Sequence, residues 1–145
     1  MTFALDVNPL VYASDETSPF SAAARRVLHD ISRGEELVYL FWPVTLGYLR
    51  LATNPRIFKA PLAPSVAVAN VETLLALPNV RVGAEDEEFL SRFKRATTGV
   101  VVRGDLVPDA HLVALMAPYG VDTVCTHDRD LLKFRGVKIY DPFDG

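Results

Sequence analysis

The sequence carries one cysteine, Cys125, and three histidines among its 145 residues. A lone thiol excludes an internal disulfide and any cysteine-based zinc cluster, and three dispersed histidines repeat no metal-ligand spacing. Between Val124 and Thr126, Cys125 reads as a buried strand residue rather than a nucleophile. Long hydrophobic runs are also missing. Half of the residues are apolar, yet no uninterrupted stretch approaches the ~20 residues that a membrane-spanning helix requires. No basic leader precedes Asp6, and that carboxylate arrives before a signal-type apolar segment could form, so a soluble, cytoplasmic protein is expected. Excess positive charge is absent too. A formal net charge of −3 argues against a protein that coats nucleic acid by bulk attraction. Four of the negative charges are consecutive, Glu85 to Glu88, which leaves the remainder near neutral. Arg92, Lys94, Arg95 and Arg103 form one basic group, and Arg50, Arg56 and Lys59 another. Either group reads as a solvated face or as a rim contacting phosphates.

What is present fits one domain, residues 1–145, since a chain of this length buries roughly two-thirds of its unfolded surface. Phe3 to Val7 reads as a buried strand interrupted by Asp6. Ser18-Pro19 signals a helix start, with Phe20, Ala24, Val27, Leu28 and Ile31 at helical spacing and Gly34 as its stop. Leu37 to Phe41 reads as a strand, and Pro43 opens a helix that ends near Asn54-Pro55. Pro64-Ser65 starts a further helix, broken at Pro78-Asn79 before a strand at Val80 to Val82. The acidic quartet sits where negative charge favours a helix start. Pro108 fits the first turn of a helix whose buried side is Leu112, Leu115, Met116 and Tyr119. Thr123 to Thr126 and Val137 to Tyr140 read as strands around a short helix, Asp128 to Phe134. This alternation predicts an α/β layer structure with a mainly parallel sheet, in which ligands bind beyond the carboxyl ends of the strands at a switch of strand order.

Asp6 ends the first strand, and Asp128 and Asp130 follow the strand Thr123 to Thr126. These acids, over 100 residues apart in sequence, meet if their strands are neighbours. Asp109, just after Pro108, can face the same edge. Two like charges ~4 Å apart repel by about 4 kcal/mol at an effective dielectric near 20, so such a cluster calls for a cation. Oxygen ligands select hard ions, which makes magnesium, or manganese in its place, the expected partner and phosphodiester hydrolysis the matching chemistry. Taken singly, Asp128 could be only a helix cap, and Asp130 and Asp109 only first-turn acids. Asp6, set between Leu5 and Val7, resists so plain a reading.

Four blocks then stand in order: Asp6-Val7-Asn8-Pro9-Leu10-Val11-Tyr12-Ala13, Leu49-Arg50-Leu51-Ala52-Thr53-Asn54-Pro55-Arg56, Pro108-Asp109-Ala110-His111-Leu112 and Thr126-His127-Asp128-Arg129-Asp130. Together they resemble the PIN-domain toxins of VapBC toxin–antitoxin modules over nearly the whole chain. The resemblance implies a Rossmann-like, three-layer α/β/α PIN domain acting as a magnesium-dependent endoribonuclease on RNA. It also implies inhibition by a cognate VapB-type antitoxin and, commonly, a homodimer. Carried over by residue, Asp6, Asp109 and Asp128 become the metal ligands and Asp130 an auxiliary catalytic acid. Asn8 and Thr126 take supporting polar positions. The chain departs from the family at Thr45, which aligns where relatives usually place a Glu. A hydroxyl can orient a water but supplies no charge, which weakens a second ion's site and leaves one-metal or slow catalysis open. Asp105 offers replacement charge on one reading and is a turn or cap residue on the other.

Competing readings are weaker. His127-Asp128 invites comparison with HD-type phosphohydrolases, but no second metal-ligand spacing accompanies it. His111 lies two residues from Asp109, a separation that points helical side chains apart. Trp42 could stack a base, although core packing or a partner interface is favoured. A bacterial receiver domain needs paired acids after the first strand and an Asp on a middle strand, and neither is present. The alternative from another class is a degenerate PIN-fold protein that binds RNA or an antitoxin without efficient cleavage, motivated by Thr45.

Overall fold

A computed structural model describes residues 1–144. Five strands, β1 (Thr2–Leu5), β2 (Leu37–Phe41), β3 (Val80–Gly83), β4 (Thr123–Cys125) and β5 (Lys138–Tyr140), form one sheet in the order β3-β2-β1-β4-β5. Every pairing is parallel, with Ala4 opposite both Tyr39 and Val124. The expectation of a mainly parallel sheet is met by a sheet that is parallel throughout. Successive strands advance from β1 to β3 on one side, then return to the other side of β1 with β4. The switch of strand order therefore falls between β1 and β4, where this architecture opens a crevice at the carboxyl edge.

Six helices connect and flank the strands: α1 (Val7–Ser14), α2 (Ser21–Ser32), α3 (Trp42–Ala52), α4 (Pro64–Leu75), α5 (Phe89–Ala96) and α6 (Leu106–Met116). None is long and apolar enough to cross a membrane. Strand residues such as Phe3, Leu5, Val38, Leu40, Phe41 and Val124 are buried with Ile31, Leu115 and Leu131 from the flanking segments, giving one core. Burial of large apolar side chains stabilises by about 1.5–3 kcal/mol each, so this continuous core fixes where the strand ends lie. At Phe41 opposite Gly83, a methyl group on the glycine would collide with the Phe41 and Tyr119 rings, so only glycine lets this edge close.

Several local expectations need correction. The first strand does not reach Val7. It ends at Leu5, and α1, which the sequence reading missed, begins immediately with Asp6 as its cap. A carboxylate accepting from an exposed helix N–H outweighs continued extension there. The second helix starts at Ser21, because Ser18 accepts from the Phe20 N–H in a turn rather than capping a helix. The acidic quartet precedes α5 instead of opening it, and Asp86 accepts from the Glu88 N–H. The segment after β4 is a short 3-10 turn, Arg129–Lys133. Tyr119, expected on a buried helix side, is 38% exposed, and Trp42, expected in the core or at a partner interface, lies outside the core at 42% exposed. Cys125 is fully buried, and burial pushes its thiol up to about 12, as befits a core residue.

Candidate metal centre and active site

Asp6 stands where β1 turns into α1. Its N–H donates to the Cys125 carbonyl of β4 at 3.1 Å, and its Oδ1 accepts from the Val7 N–H at 2.8 Å. Thr126 leaves the neighbouring strand beside it. The buried Thr126 hydroxyl donates to Asp6 Oδ2 at 2.7 Å and accepts from Asn8 Nδ2 and from the Asp128 N–H, each at 2.9 Å. A hydroxyl has one donor and two lone pairs, and all three are engaged. Asn8 completes the arrangement by accepting from the His127 N–H at 3.2 Å. The two residues expected to support the site thus stitch the ends of β1 and β4 together.

Asp128 caps the 3-10 turn by accepting from the Asp130 N–H at 2.9 Å. The first turn of α6 carries Asp109, and α6 packs on that 3-10 turn. Asp109, Asp128 and Asp130 each place a carboxylate oxygen within 4.8 Å of the other two. Asp6 is not a member of this trio. It lies behind it, joined through Thr126, and its charge still reaches Asp109. Burial, then Asp128, Asp6 and Asp130, push the Asp109 carboxyl up to about 7, with Lys133 opposing. Asp6 is also raised, chiefly by burial and secondarily by Asp128, against the lowering bonds from Thr126 and Val7. Such shifts mark carboxylates whose charges lack compensation.

Thr45 is the fourth residue of α3, the helix that begins directly at the carboxyl end of β2. It is 3% exposed, and its Oγ1 has no hydrogen-bond partner among the described residues. A buried hydroxyl without a partner costs about 1–3 kcal/mol, so this atom requires a water or a ligand. Asp105 stands exposed ahead of α6 and outside the acidic trio. His111 turns away to Glu85, which its ring holds below the usual carboxylate range. Arg92 pairs with Asp86 and Glu88, so it is spent within the acidic turn rather than free for a phosphate, whereas Arg50, Arg56, Arg95 and Arg103 are exposed. A cavity of about 350 Å³ lined by Leu10, Leu28, Tyr48, Val71 and Leu74 lies among the helices, and none of the four acids borders it.

Sequence reasoning missed Asp141. It follows β5 at the same carboxyl edge and bonds His127 Nδ1 through Oδ2 at 3.0 Å. The rule that placed Asp6 and Asp128 at strand ends applies equally to Tyr140-Asp141.

No family model matches the chain. Individual proteins do. It is 48% identical to ribonuclease VapC48 of Mycobacterium tuberculosis over 145 residues, the full length of both chains. The chain belongs to the VapC family of ribonuclease toxins. VapC ribonuclease Mb2897 of Mycobacterium bovis is 31% identical over 141 residues, covering 97% of this chain and 95% of that one. Among solved structures, VapC20 of M. tuberculosis, a sarcin-ricin loop cleaving toxin, has a TM-score of 0.65 at 16% identity, covering 94% of this chain and 98% of that one. VapBC2 from Rickettsia felis, bound to a promoter DNA fragment, has a TM-score of 0.63 at 12% identity, covering 97% and 98%. At those identities the likeness concerns the fold, a PIN domain. This VapC-family chain therefore matches in fold and in family what its four sequence blocks imply.

Proposed function

We propose that the chain is a magnesium-dependent endoribonuclease, with manganese as a substitute, that acts in the cytoplasm and is held inactive by a cognate VapB-type antitoxin. The observation that carries this reading is the convergence of Asp109, Asp128 and Asp130, with Asp6 behind them, at the switch point of a parallel sheet. The donor set fits a hard divalent ion, being wholly carboxylate, and the raised Asp6 and Asp109 carboxyls need opposing charge. Asp6, Asp109 and Asp128 would hold the ion, and Asp130 would tune it. Bound there, the ion supplies charge neutralisation at a phosphodiester and a more acidic water.

The chain's own residues do the rest. Thr126 and Asn8 fix the orientation of Asp6 and of the Asp128 backbone. Exposed arginines at 50, 56, 95 and 103 are the groups available to position phosphates. Partnership with an antitoxin is supported by the family resemblance and by a fold neighbour solved as VapBC2, and a homodimer follows from the resemblance. Incubation of purified protein with total RNA, with and without magnesium or manganese, tests the activity. Metal-dependent cleavage abolished by Asp6→Asn is expected, and cleavage that survives this substitution contradicts the site.

Thr45 favours a second reading, a catalytically weak PIN domain that binds RNA or antitoxin without efficient cleavage. Its hydroxyl is buried and uncharged where relatives usually carry a Glu. Absence of cleavage under both metals, with RNA still bound, would decide for it.

A further inference from the structure

The last strand delivers a carboxylate to the acidic edge that the proposed chemistry does not use. Asp141 is 9% exposed, and both of its oxygens are engaged: Oδ1 accepts from the Phe143 N–H at 2.9 Å and Oδ2 meets His127 Nδ1 at 3.0 Å. A carboxylate this buried is retained only with partners, and the imidazole is its one side-chain partner among the described residues. Bonding at Nδ1 orients the ring and places its proton on that nitrogen. Aromatic packing fixes the ring from two further directions. Its centroid lies 4.8 Å from that of Phe20 and 6.0 Å from that of Phe143, and Tyr12 contacts both of these rings at 5.0 and 5.2 Å.

The same residue reaches the site through its backbone. The His127 N–H donates to Asn8 Oδ1, Asn8 Nδ2 donates to Thr126 Oγ1, and Thr126 holds both Asp6 Oδ2 and the Asp128 N–H. A path of hydrogen bonds, continued through the covalent frame of His127 from ring to backbone, therefore runs from Asp141 to two of the site's acids. The Tyr12 hydroxyl marks how close these groups are. After burial, Asp141, Asp6 and Asp128 in turn hold its pKa above the ordinary value, so the charges of all three reach one phenol.

We propose that Asp141 and His127 form a latch, in which the chain's C-terminal segment positions the acidic site through Asn8 and Thr126. Both are positioning residues, and neither need touch RNA. This inference rests on the metal-centre reading above, because what the latch sets is the spacing of the ligand carboxylates. The segment from Thr126 to Asp130 has no strand partner beyond Thr126 itself, so side-chain bonds decide how rigidly Asp128 is presented. Partners behind metal ligands typically change metal affinity or activity by 10–100-fold when removed.

The test is a manganese titration of the full chain, read by thermal shift, alongside RNA-cleavage kinetics and amide exchange at His127 and Asp128. Asp141→Ala and His127→Ala should each raise the manganese concentration for half-maximal stabilisation about tenfold, lower kcat, and leave KM for RNA within about twofold. The double substitution should be no worse than either single one, because both break one path. His127→Asn, whose Nδ2 can occupy the place of Nδ1, should recover most of the metal response. Should an alanine variant fail to fold, His127→Gln, which loses the donor at that place, carries the same expectation. A lower melting temperature with an unchanged manganese midpoint overturns the latch, leaving only structural packing. A raised KM with unchanged kcat and midpoint also overturns it, making His127 an RNA contact instead. A wild-type chain that manganese does not stabilise overturns the metal-centre reading itself. Amide exchange then decides the latch alone: faster exchange at His127 and Asp128 in Asp141→Ala supports it, and unchanged exchange sinks it.

Discussion

The Thr126 hydroxyl donates to Asp6 Oδ2 at 2.7 Å across 120 residues of sequence. Because the same oxygen accepts from Asn8 and from the Asp128 backbone, one small side chain ties the first strand's end to the fourth's. Thr126→Val keeps the shape and deletes the hydroxyl, stranding two donors and one acceptor. A stranded group costs about 1–3 kcal/mol when buried, as Asp6 is, and less when half-buried, as Asn8 and the Asp128 N–H are, so urea denaturation should show a loss of about 2 kcal/mol with an unchanged m-value. Thr126→Ser should restore most of it. Equal stability for Val and Ser would contradict the hub.

Ion binding to the folded state alone raises stability by mass action, about 2.7 kcal/mol at a hundredfold excess over Kd. Magnesium or manganese should therefore raise the melting temperature of the wild-type chain. Asp6→Asn and Asp109→Asn should each remove most of that shift. A full response in both variants would mean that neither residue is a ligand.

Asp109 yields a pH dependence for the metal-free protein. Its carboxyl is pushed from 3.8 to about 7 by burial first and by Asp128, Asp6 and Asp130 next. The folded state therefore binds this proton more tightly than the unfolded chain does. Its stabilising contribution is complete below about pH 4 and disappears as pH rises through about 7. In the presence of a chelator, melting temperature should fall across that window and Asp109→Asn should flatten the fall. At pH 8 the variant should melt higher than wild type, by roughly 2–4 °C for each kcal/mol of repulsion relieved. A variant that melts lower than wild type at pH 8 would show that Asp109 is not held against its preference.

Thr45 offers a gain-of-function test. Its hydroxyl is buried without a partner among the described residues, so Thr45→Glu places a carboxylate where the family resemblance implies one. Isothermal titration with manganese should show an added site or a Kd lowered about tenfold, and RNA cleavage should accelerate. Without metal the variant should be less stable than wild type, since a further buried charge must be desolvated. Unchanged stoichiometry, affinity and rate together would show that position 45 does not face the ion.

Much of the fold was legible because it depends on local pattern. Strands at 37–41 and 80–83 and helices at 42–52 and 64–75 agree with expectation to within a residue or two. Apolar spacing and proline positions act over a few residues and are written directly in the chain. The missed α1 shows the limit: Phe3 to Val7 is apolar enough to read as one strand, and only the Val7 N–H bond to Asp6 ends it. Tyr119 was misjudged because exposure depends on what packs opposite, which periodicity does not contain.

By itself the sequence determined the kinds of ligand available: carboxylates at strand ends, with a single cysteine and three scattered histidines that form no competing metal-ligand pattern. It also determined the family, through four ordered blocks. Tertiary structure alone decided which acids meet. By placing β4 beside β1 it brought Thr126 to Asp6, grouped Asp109 with Asp128 and Asp130, and set Asp141 against His127. Carboxylate charge is a property of a residue, whereas repulsion, burial and shared hydrogen bonds are properties of distance, and distance across a sheet is fixed only when the strands have been ordered.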